Sequence, residues 1–212
     1  MTEFAIIHRD PAFLICIKPP GVLSTDEPGG LPDLCREALG DPNVRTVHRL
    51  DRVVSGLIVL ARTRRAAADL SAQIRDGIFQ KEYQAVLHGT PNEPRGTLID
   101  LLARDKAERK TFVVTEPGKD VQEAILNYEV LDSGTDFSKV RIELVTGRTH
   151  QIRCQFSSRN LPLVGDRKYS THEDGCDIAL WSSRLCFRHP KTNEELTFTA
   201  PHPDEFPWNQ FK

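Results

Sequence analysis

Short apolar runs separated by turn-forming residues restrict the folds that this chain can adopt. Clusters of Pro and Gly that mark turns are spread along it, at residues 19–21, 28–30, 91–96 and 117–118. Runs with strand character lie between such turns, at residues 5–7, 13–17, 57–60, 83–87, 140–145 and 196–199. Strands outnumber helices and do not alternate with them regularly. This pattern predicts an α+β fold with a mixed, mostly antiparallel central sheet flanked by helices and loops.

Two helices are predicted from local signals. Residues 64–76 follow Thr63, whose hydroxyl suits a helix N-cap, and they end before Gly77, a residue type favoured just past a helix C-terminus. A second helix is expected to begin at Thr149, since Gly147 permits a tight turn from the preceding strand.

Length and composition indicate an ordinary globular protein. The 212 residues suit one large domain or two small ones. We expect a single domain over residues 1–212, and the turn-rich sequence allows a sub-domain hinge near residues 91–120. No apolar run approaches the ~20 residues that span a bilayer, and the N-terminus has no secretory signal pattern. The sequence therefore predicts a cytoplasmic protein without a membrane partner.

The five cysteines and seven histidines show no metal-binding pattern. The number of cysteines is odd, no Cys-x-x-Cys pair occurs, and no Cys/His cluster has zinc spacing. We therefore expect reduced thiols and no metal site.

Charge is distributed unevenly along the chain. The formal net charge is -2, which read globally argues weakly against a nucleic-acid partner. Residues 45–112, however, carry 13 basic and 8 acidic side chains, and residues 141–170 carry 6 and 2. Two such basic blocks can form a positive surface for a phosphate backbone if the fold brings them together. Each can equally be a solvated face, so charge alone leaves the partner open.

The segment HRLDRVVSG at residues 48–56 places Asp51 just before the buried strand predicted at 57–60. A carboxylate at this position is anchored next to a buried strand, and Arg49 and Arg52 favour its charged form. The same pattern also fits an exposed loop carboxylate that pairs with local arginines and contributes little to stability. This segment alone leaves both roles open.

The segment TGRTHQIR at residues 146–153 lies on the predicted strand-to-helix turn. Arg148 projects from that turn, where its guanidinium could form a bidentate pair with a carboxylate. A cluster of polar residues that caps the start of the helix and is exposed to solvent gives the same sequence pattern.

Two further segments are weaker signals. Tyr83, in Lys-Glu-Tyr-Gln-Ala, can stack on a flipped base, although a tyrosine of the core or of an interface is the commoner use. Lys18 ends an apolar strand at a Pro-Pro-Gly turn, which by itself indicates a strand end and nothing more.

Together these four segments resemble, in order, the four motifs of the RluA-type pseudouridine synthase family. The family's signature reads HRLD, two variable residues and TSG, and its later motif GRTHQIR is identical at residues 147–153. The Lys-Glu-Tyr and Lys-Pro-Pro-Gly segments also match. The resemblance reaches from about Ile15 to Tyr169 and continues in the C-terminal segments at residues 187–190 and 198–201.

The chain departs from the family pattern at several points. Val54 stands where threonine is usual, which keeps the β-branched shape but loses a hydroxyl that could hold the Asp51 loop. Trp181 and Ser182 replace a more usual His-Ala. We expect the chain to comprise the catalytic domain alone, without the small N-terminal RNA-binding domain of several relatives. We therefore expect the catalytic domain itself to recognise the RNA.

The resemblance implies the pseudouridine synthase fold with a central catalytic cleft, and an enzyme that isomerises a specific uridine of ribosomal or transfer RNA after flipping it out. It implies that Asp51 is the catalytic residue and that Arg49, Tyr83 and Arg148 bind the substrate. Arg148 would pair with Asp51, Tyr83 would stack on the flipped uracil, and Arg49 would fill the gap in the RNA or contact phosphate. No metal or organic cofactor is implied.

Supporting roles are assigned to other residues. His48 and Gly56 are interpreted as structural supports of the Asp51 loop, and Lys18 as a candidate phosphate contact. Three cations could grip the RNA backbone or belong to a solvated hairpin; they are Lys106, Arg109 and Lys110.

Two other functions compete with this one. A non-catalytic RNA-binding module could keep the same fold, although the carboxylate and its arginine are both present. A nucleoside or glycoside hydrolase would need a second carboxylate across from Asp51. RNA is the expected partner, with no obligate protein partner evident, and we expect a monomer.

Overall fold

The structure, a computed structural model, describes residues 4–211, which cluster into two compact units. Among these residues, unit 1 comprises 4–81 and 181–202, and unit 2 comprises 82–180 and 203–211. The hinge predicted near residues 91–120 falls within unit 2 and stays a prediction, as does the single-domain organisation.

The described residues form eleven strands, three α-helices and a 3₁₀ turn at Trp208–Gln210. In chain order the strands and α-helices are β1 (Ala5–Arg9), β2 (Phe13–Lys18), α1 (Leu31–Leu39), β3 (Arg45–Thr46), β4 (Ser55–Ala61), α2 (Arg64–Arg75), β5 (Gln80–His88), β6 (Arg95–Asp105), β7 (Lys110–Val114), β8 (Gln122–Ser133), β9 (Phe137–Leu144), α3 (Gln151–Ser157), β10 (Leu180–Arg188) and β11 (Glu195–Thr199).

The strands of unit 1 pair in the order β1-β2-β4-β10-β11, with β3 also on β4. The β4–β10 pair is parallel, and the other pairs of this unit are antiparallel. The strands of unit 2 pair in the order β5-β9-β8-β6-β7, and these pairs are antiparallel. The predicted α+β class with a mixed, mostly antiparallel sheet is confirmed.

The core of unit 1 forms where α2 covers β2 and β4. Phe13 and Ile15 of β2 and Leu57 and Val59 of β4 are fully buried against Leu70 of α2. Burial of each such side chain contributes about 1.5–3 kcal/mol. Because β2 and β4 are covered on both faces, their sequences are continuous apolar runs rather than alternating ones.

The two predicted helices are present, but the second begins later than expected. Thr63 caps α2 as predicted, since its hydroxyl accepts a hydrogen bond from the backbone N–H of Ala66 at 3.0 Å. In contrast, α3 begins at Gln151 rather than Thr149, and the left-handed residue of the turn is His150, with φ of 56°. The N-cap position therefore falls on His150.

Gly56 allows the backbones of β4 and β10 to approach closely. Its φ is +110°, and a Cβ at this position would lie 2.5 Å from the carbonyl oxygen of Ser182. Gly40, at the C-terminus of α1, has a comparable left-handed φ of +61° but open space around the corresponding Cβ position. Substituting the two glycines therefore compares the effect on stability of a positive φ alone with that of a positive φ and a close backbone contact.

We predict that Gly56→Ala destabilises the protein more than Gly40→Ala. Gly40→Ala is expected to lower the free energy of unfolding by about 1–2 kcal/mol, the penalty for a left-handed L-residue. Gly56→Ala adds the clash with the Ser182 backbone, about 1–3 kcal/mol more. Urea denaturation of the three proteins measures this difference, and equal losses in the two variants would contradict the close approach.

Candidate active site

Asp51 lies half-buried in the loop that leads from β3 into β4. The loop closes tightly, because the backbone N–H of Val54 donates to the carbonyl of Asp51 at 3.0 Å. Ser24 fixes the residue before it: the Ser24 hydroxyl donates to the carbonyl of Leu50 at 2.9 Å and accepts from its N–H at 3.1 Å. Asp51 is therefore held on a defined backbone, and Val54, which replaces the usual threonine, is buried beside it.

Lys18 ties the turn after β2 to the Asp51 loop. Its side chain is fully buried, and its ammonium donates to the carbonyls of Pro19 at 2.9 Å, Val22 at 2.8 Å and Arg52 at 3.1 Å. The N–H of Gly21 also donates to the Arg52 carbonyl, at 2.8 Å. The three donors of the ammonium are thus used inside the protein. This disfavours the role of phosphate contact predicted from the sequence.

The charge of Lys18 is held in an unfavourable environment. Burial lowers its pKa from the ordinary value of 10.5 to about 8, while the nearby negative charge of Asp51 raises the pKa and the positive charge of Arg52 lowers it. Below this pH the ammonium remains charged and contributes a positive charge close to the Asp51 carboxylate.

His48 supports the same loop from the side of β4. Its Nε2 accepts a hydrogen bond from the backbone N–H of Val59 at 3.2 Å, and its ring packs 5.4 Å from that of Phe79. Burial lowers the pKa of His48 to about 3, so the imidazole is neutral at physiological pH and carries its proton on Nδ1. These contacts agree with a structural role.

Arg49 and Arg52 flank Asp51, and both are exposed. Arg52 folds back, since its Nε donates to the carbonyl of Gly21 at 2.8 Å. Arg49 stays on the surface of unit 1, where it can reach a bound molecule.

The remaining predicted site residues belong to unit 2. Tyr83 is buried on β5, opposite Ile142 of β9. Arg148 lies on the turn between β9 and α3, and its Nε donates to the carbonyl of Glu123 at 2.9 Å. The pairing of Asp51 with Arg148 and the stacking role of Tyr83 stay predictions.

The turn that carries Arg148 is fixed by Gln151. The side-chain carbonyl of Gln151 accepts from the backbone N–H of Arg148 at 2.9 Å and from the hydroxyl of Thr146 at 2.8 Å, and its amide donates to the carbonyl of Ile125 at 3.1 Å. Gln151 belongs to the GRTHQIR segment, but the sequence alone does not indicate that it holds the turn.

Arg153 and Asp166 form a buried ion pair that was not predicted from the sequence. The Arg153 guanidinium donates to both carboxylate oxygens of Asp166, at 2.7 and 2.6 Å. The same guanidinium lies 5.1 Å from the ring centre of Tyr169. Arg153 belongs to the GRTHQIR segment, but Asp166 follows 13 residues later, and the sequence alone does not indicate that the two side chains pair.

Tyr169 joins three parts of unit 2. Its hydroxyl accepts from the backbone N–H of Thr111 at 2.8 Å and lies 2.8 Å from Nδ1 of His150. Burial raises the pKa of Tyr169, so the phenol keeps its proton, which it can donate to His150. The tyrosine therefore connects β7 to the turn that carries Arg148.

The described part of the chain contains neither a metal-binding cluster nor a helix that could span a membrane. Within residues 4–211, no group of three or more His, Cys, Asp or Glu side chains could hold a metal ion. None of the helices formed by these residues is both long and apolar enough to cross a bilayer.

We predict that the stability of Lys18→Met responds differently to pH from that of the wild type. At neutral pH the variant should lose about 1–3 kcal/mol, because buried carbonyls lose their donor. The folded pKa of about 8 lies below the ordinary value of 10.5. The unfolded chain therefore binds more protons in this window, and Lys18 adds stability as pH rises, by at most about 1.4 kcal/mol per unit.

Urea denaturation between about pH 7 and pH 10 tests this expectation. The difference in unfolding free energy between wild type and Lys18→Met should widen from about pH 8 upward. Lys191→Met, at an exposed position, is the matched control and should give a curve parallel to the wild type. Parallel curves for all three proteins would show that Lys18 is not a buried charge.

Comparison with known proteins identifies relatives over most of the chain. The family model described as RNA pseudouridylate synthase matches residues 12–158. A Bacillus subtilis (strain 168) protein named uncharacterized RNA pseudouridine synthase YlyB is 34% identical over 216 residues, covering 96% of this chain and 70% of the relative. The Escherichia coli (strain K12) dual-specificity RNA pseudouridine synthase RluA is 34% identical over 207 residues, covering 92% of each.

Solved structures of the same kind share the fold. Human RNA pseudouridylate synthase domain containing 1 superposes with a TM-score of 0.81 at 25% identity, covering 95% of this chain and 84% of that one. Human RNA pseudouridylate synthase domain containing 4 gives a TM-score of 0.78 at 22% identity, with coverages of 93% and 88%. The motifs, the matched family model and these relatives agree, and the chain belongs to the RluA-type RNA pseudouridine synthases, a family of isomerases.

Proposed function

We propose that this enzyme converts a specific uridine of ribosomal or transfer RNA to pseudouridine, with Asp51 as its catalytic carboxylate. The observation that supports this assignment is the way in which the Asp51 loop is held. The ammonium of Lys18, the hydroxyl of Ser24 and the imidazole of His48 each bind the backbone of this loop or of the adjoining β4. A solvated surface carboxylate needs no such support, whereas a catalytic one must be held in place.

The reaction rearranges bonds without adding or losing atoms. The bond from the ribose C1′ to uracil N1 breaks, the uracil turns, and a new bond forms from C1′ to C5. The C5 proton is then lost and N1 gains a proton. A carboxylate at this place can attack the sugar or base as a nucleophile. It can also stabilise oxocarbenium character and remove a ribose proton. Both routes use Asp51 alone, in contrast to glycoside hydrolysis, which uses two carboxylates.

The target atoms lie inside a folded RNA, so we propose that the nucleotide is flipped out before the reaction. Arg49, exposed beside Asp51, would occupy the gap left in the RNA stack or bind a phosphate. Arg148 would pair with the carboxylate and keep it ionised, and Tyr83 would stack on the flipped uracil.

The names of two relatives support the proposed substrate class. The Escherichia coli relative is named a dual-specificity synthase, and a Neisseria meningitidis relative, 31% identical, is named ribosomal large subunit pseudouridine synthase D. We propose that the present enzyme likewise acts on a stable RNA, in the cytoplasm and as a monomer.

We predict that Asp51→Asn abolishes pseudouridine formation while the fold survives. Asparagine keeps the shape of the side chain but removes the charge and the nucleophile, so activity should fall at least about a thousandfold. Asp76→Asn, at an exposed site at the end of α2, is the matched control and should retain full activity. The fold is checked by circular dichroism.

Mapping pseudouridine in cells that lack the gene identifies the substrate and tests the role of Asp51. The sites that disappear identify the RNA. Wild-type protein and Asp76→Asn should restore them, whereas Asp51→Asn should not. Restoration by Asp51→Asn would refute the assignment of Asp51. Release of free uracil from the RNA would instead indicate a hydrolase, and loss of no site at all would favour a non-catalytic RNA-binding module.

A further inference from the structure

His150, in the turn between β9 and α3, has an unusual conformation for the residue at the start of a helix. Its φ of 56° and ψ of 20° lie in the left-handed region, whereas an N-cap residue ordinarily has an extended backbone. The preferred N-cap types are Ser, Thr, Asp and Asn, whose side chains bind the first turn of the helix. A histidine in this conformation must be stabilised by its surroundings.

The imidazole of His150 is held by Tyr169. Nδ1 of His150 lies 2.8 Å from the phenolic oxygen of Tyr169, and the two rings meet edge to face with their centres 5.6 Å apart. The phenol can donate its proton to the imidazole, while its oxygen accepts from the backbone N–H of Thr111 at 2.8 Å. These contacts fix the imidazole and, through it, the backbone of residue 150.

Tyr169 is itself fixed to α3. Its backbone carbonyl accepts from the hydroxyl of Ser157, the last residue of α3, at 2.7 Å. Its ring centre lies 5.1 Å from the guanidinium of Arg153, which forms the buried ion pair with Asp166. Because Arg153 and Ser157 both belong to α3, the phenol has a defined place relative to the helix that follows the turn.

His150 lies two residues after Arg148, in a turn whose ends are joined by hydrogen bonds. The backbone N–H of Arg148 donates to the side-chain carbonyl of Gln151 at 2.9 Å, and the N–H of Gln151 donates to the carbonyl of Arg148 at 3.1 Å. A change in the backbone angles of residue 150 therefore moves Arg148 relative to α3. The bond from Nε of Arg148 to the carbonyl of Glu123, at 2.9 Å, depends on the same direction.

We propose that Tyr169 is a positioning residue for Arg148. By holding the imidazole of His150, the phenol keeps the turn left-handed and so sets the direction in which the Arg148 guanidinium leaves the backbone. A bidentate pair between a guanidinium and a carboxylate requires such a defined direction, because both N–H groups must point at the two oxygens. This inference rests on the proposed function, in which Arg148 holds the catalytic carboxylate ionised and oriented.

Four single variants of the full chain test the path from Tyr169 through His150 to Arg148. Tyr169→Phe removes the hydroxyl and keeps the ring. His150→Gly removes the imidazole, allows the left-handed conformation and leaves the bond between Tyr169 and Thr111 in place. Arg148→Lys keeps the charge but loses the planar, bidentate geometry. Asn160→Gly is the matched control, because Asn160 is a left-handed residue (φ of 58°) at an exposed position after α3.

The measurement is the rate of pseudouridine formation in total RNA from cells that lack the gene, with the enzyme in excess over its target site. Varying the enzyme concentration gives the maximal rate and the concentration of half-saturation. Tyr169→Phe and His150→Gly should lower the maximal rate roughly ten- to a hundredfold, as expected for a displacement of ~1 Å near the reacting atoms. Both should leave half-saturation unchanged, and Asn160→Gly should keep the wild-type rate. Circular dichroism checks that each variant is folded.

Action through Arg148 also predicts that these effects do not add. Arg148→Lys should lower the maximal rate, and adding Tyr169→Phe or His150→Gly to it should lower the rate little further, because the group that they position is already impaired. A purely structural role of Tyr169 predicts the full additional loss in this background.

A wild-type maximal rate in folded Tyr169→Phe or His150→Gly would overturn the proposal, and so would the full additional loss in the Arg148→Lys background. An unchanged rate in Arg148→Lys would also overturn it, since the direction of the guanidinium would then be unimportant. If Tyr169→Phe does not fold, because Thr111 loses its acceptor, His150→Gly decides the question. Failure of the proposed function is seen separately, as absence of pseudouridine formation by the wild-type protein.

Discussion

The buried ammonium of Lys18 is the interaction on which the surroundings of Asp51 depend. Burying a charge is unfavourable unless its hydrogen-bonding capacity is used. Here three carbonyls satisfy the ammonium, two from the turn after β2 and one from Arg52, directly after Asp51. Because β2 and β4 are both part of the core, Lys18 at the end of β2 connects the Asp51 loop to the buried core of unit 1. The carboxylate is then held by the fold itself.

The enzyme gives up stability at two places of different physical origin. At Lys18 the unfavourable term is desolvation of a charge, seen in the depressed pKa of about 8. At Arg109, between β6 and β7, it is backbone strain, seen in the left-handed φ of 51°. Hydrogen bonds stabilise both places: the Lys18 ammonium donates to three carbonyls, and the Lys168 ammonium donates to the carbonyl of Arg109. The depressed pKa of Lys18 agrees with the general tendency of perturbed pKa values to occur near functional groups.

Local patterns predicted β1, β2, β4, α2 and β11 of unit 1, but they missed α1, β3 and β10; in unit 2 they missed β6, β7 and β8. β2, β4 and α2 were found because core burial makes β2 and β4 continuous apolar runs and because Thr63 is a strong capping signal. β6 was missed because it is only partly buried: Ile99 is 60% exposed, and no regular alternation remains in its sequence. The sequence around Lys18 indicated only the end of a strand, because one of its hydrogen-bond acceptors, the carbonyl of Arg52, lies 34 residues away. Sequence patterns indicate which residues are buried. A hydrogen bond such as that from Lys18 to Arg52 depends instead on how distant segments of the chain pack together.

We propose that Asp51 acts on a flipped uridine beside Arg148 and Tyr83, and a crystal structure of the enzyme with its RNA would test this proposal. We expect the target uridine to lie outside the RNA stack, with its uracil against Tyr83. We also expect the Asp51 carboxylate to lie within hydrogen-bonding distance of the Arg148 guanidinium and in contact with the ribose or base. A uridine that remains stacked in the bound RNA, or a carboxylate remote from both the nucleotide and Arg148, would contradict it.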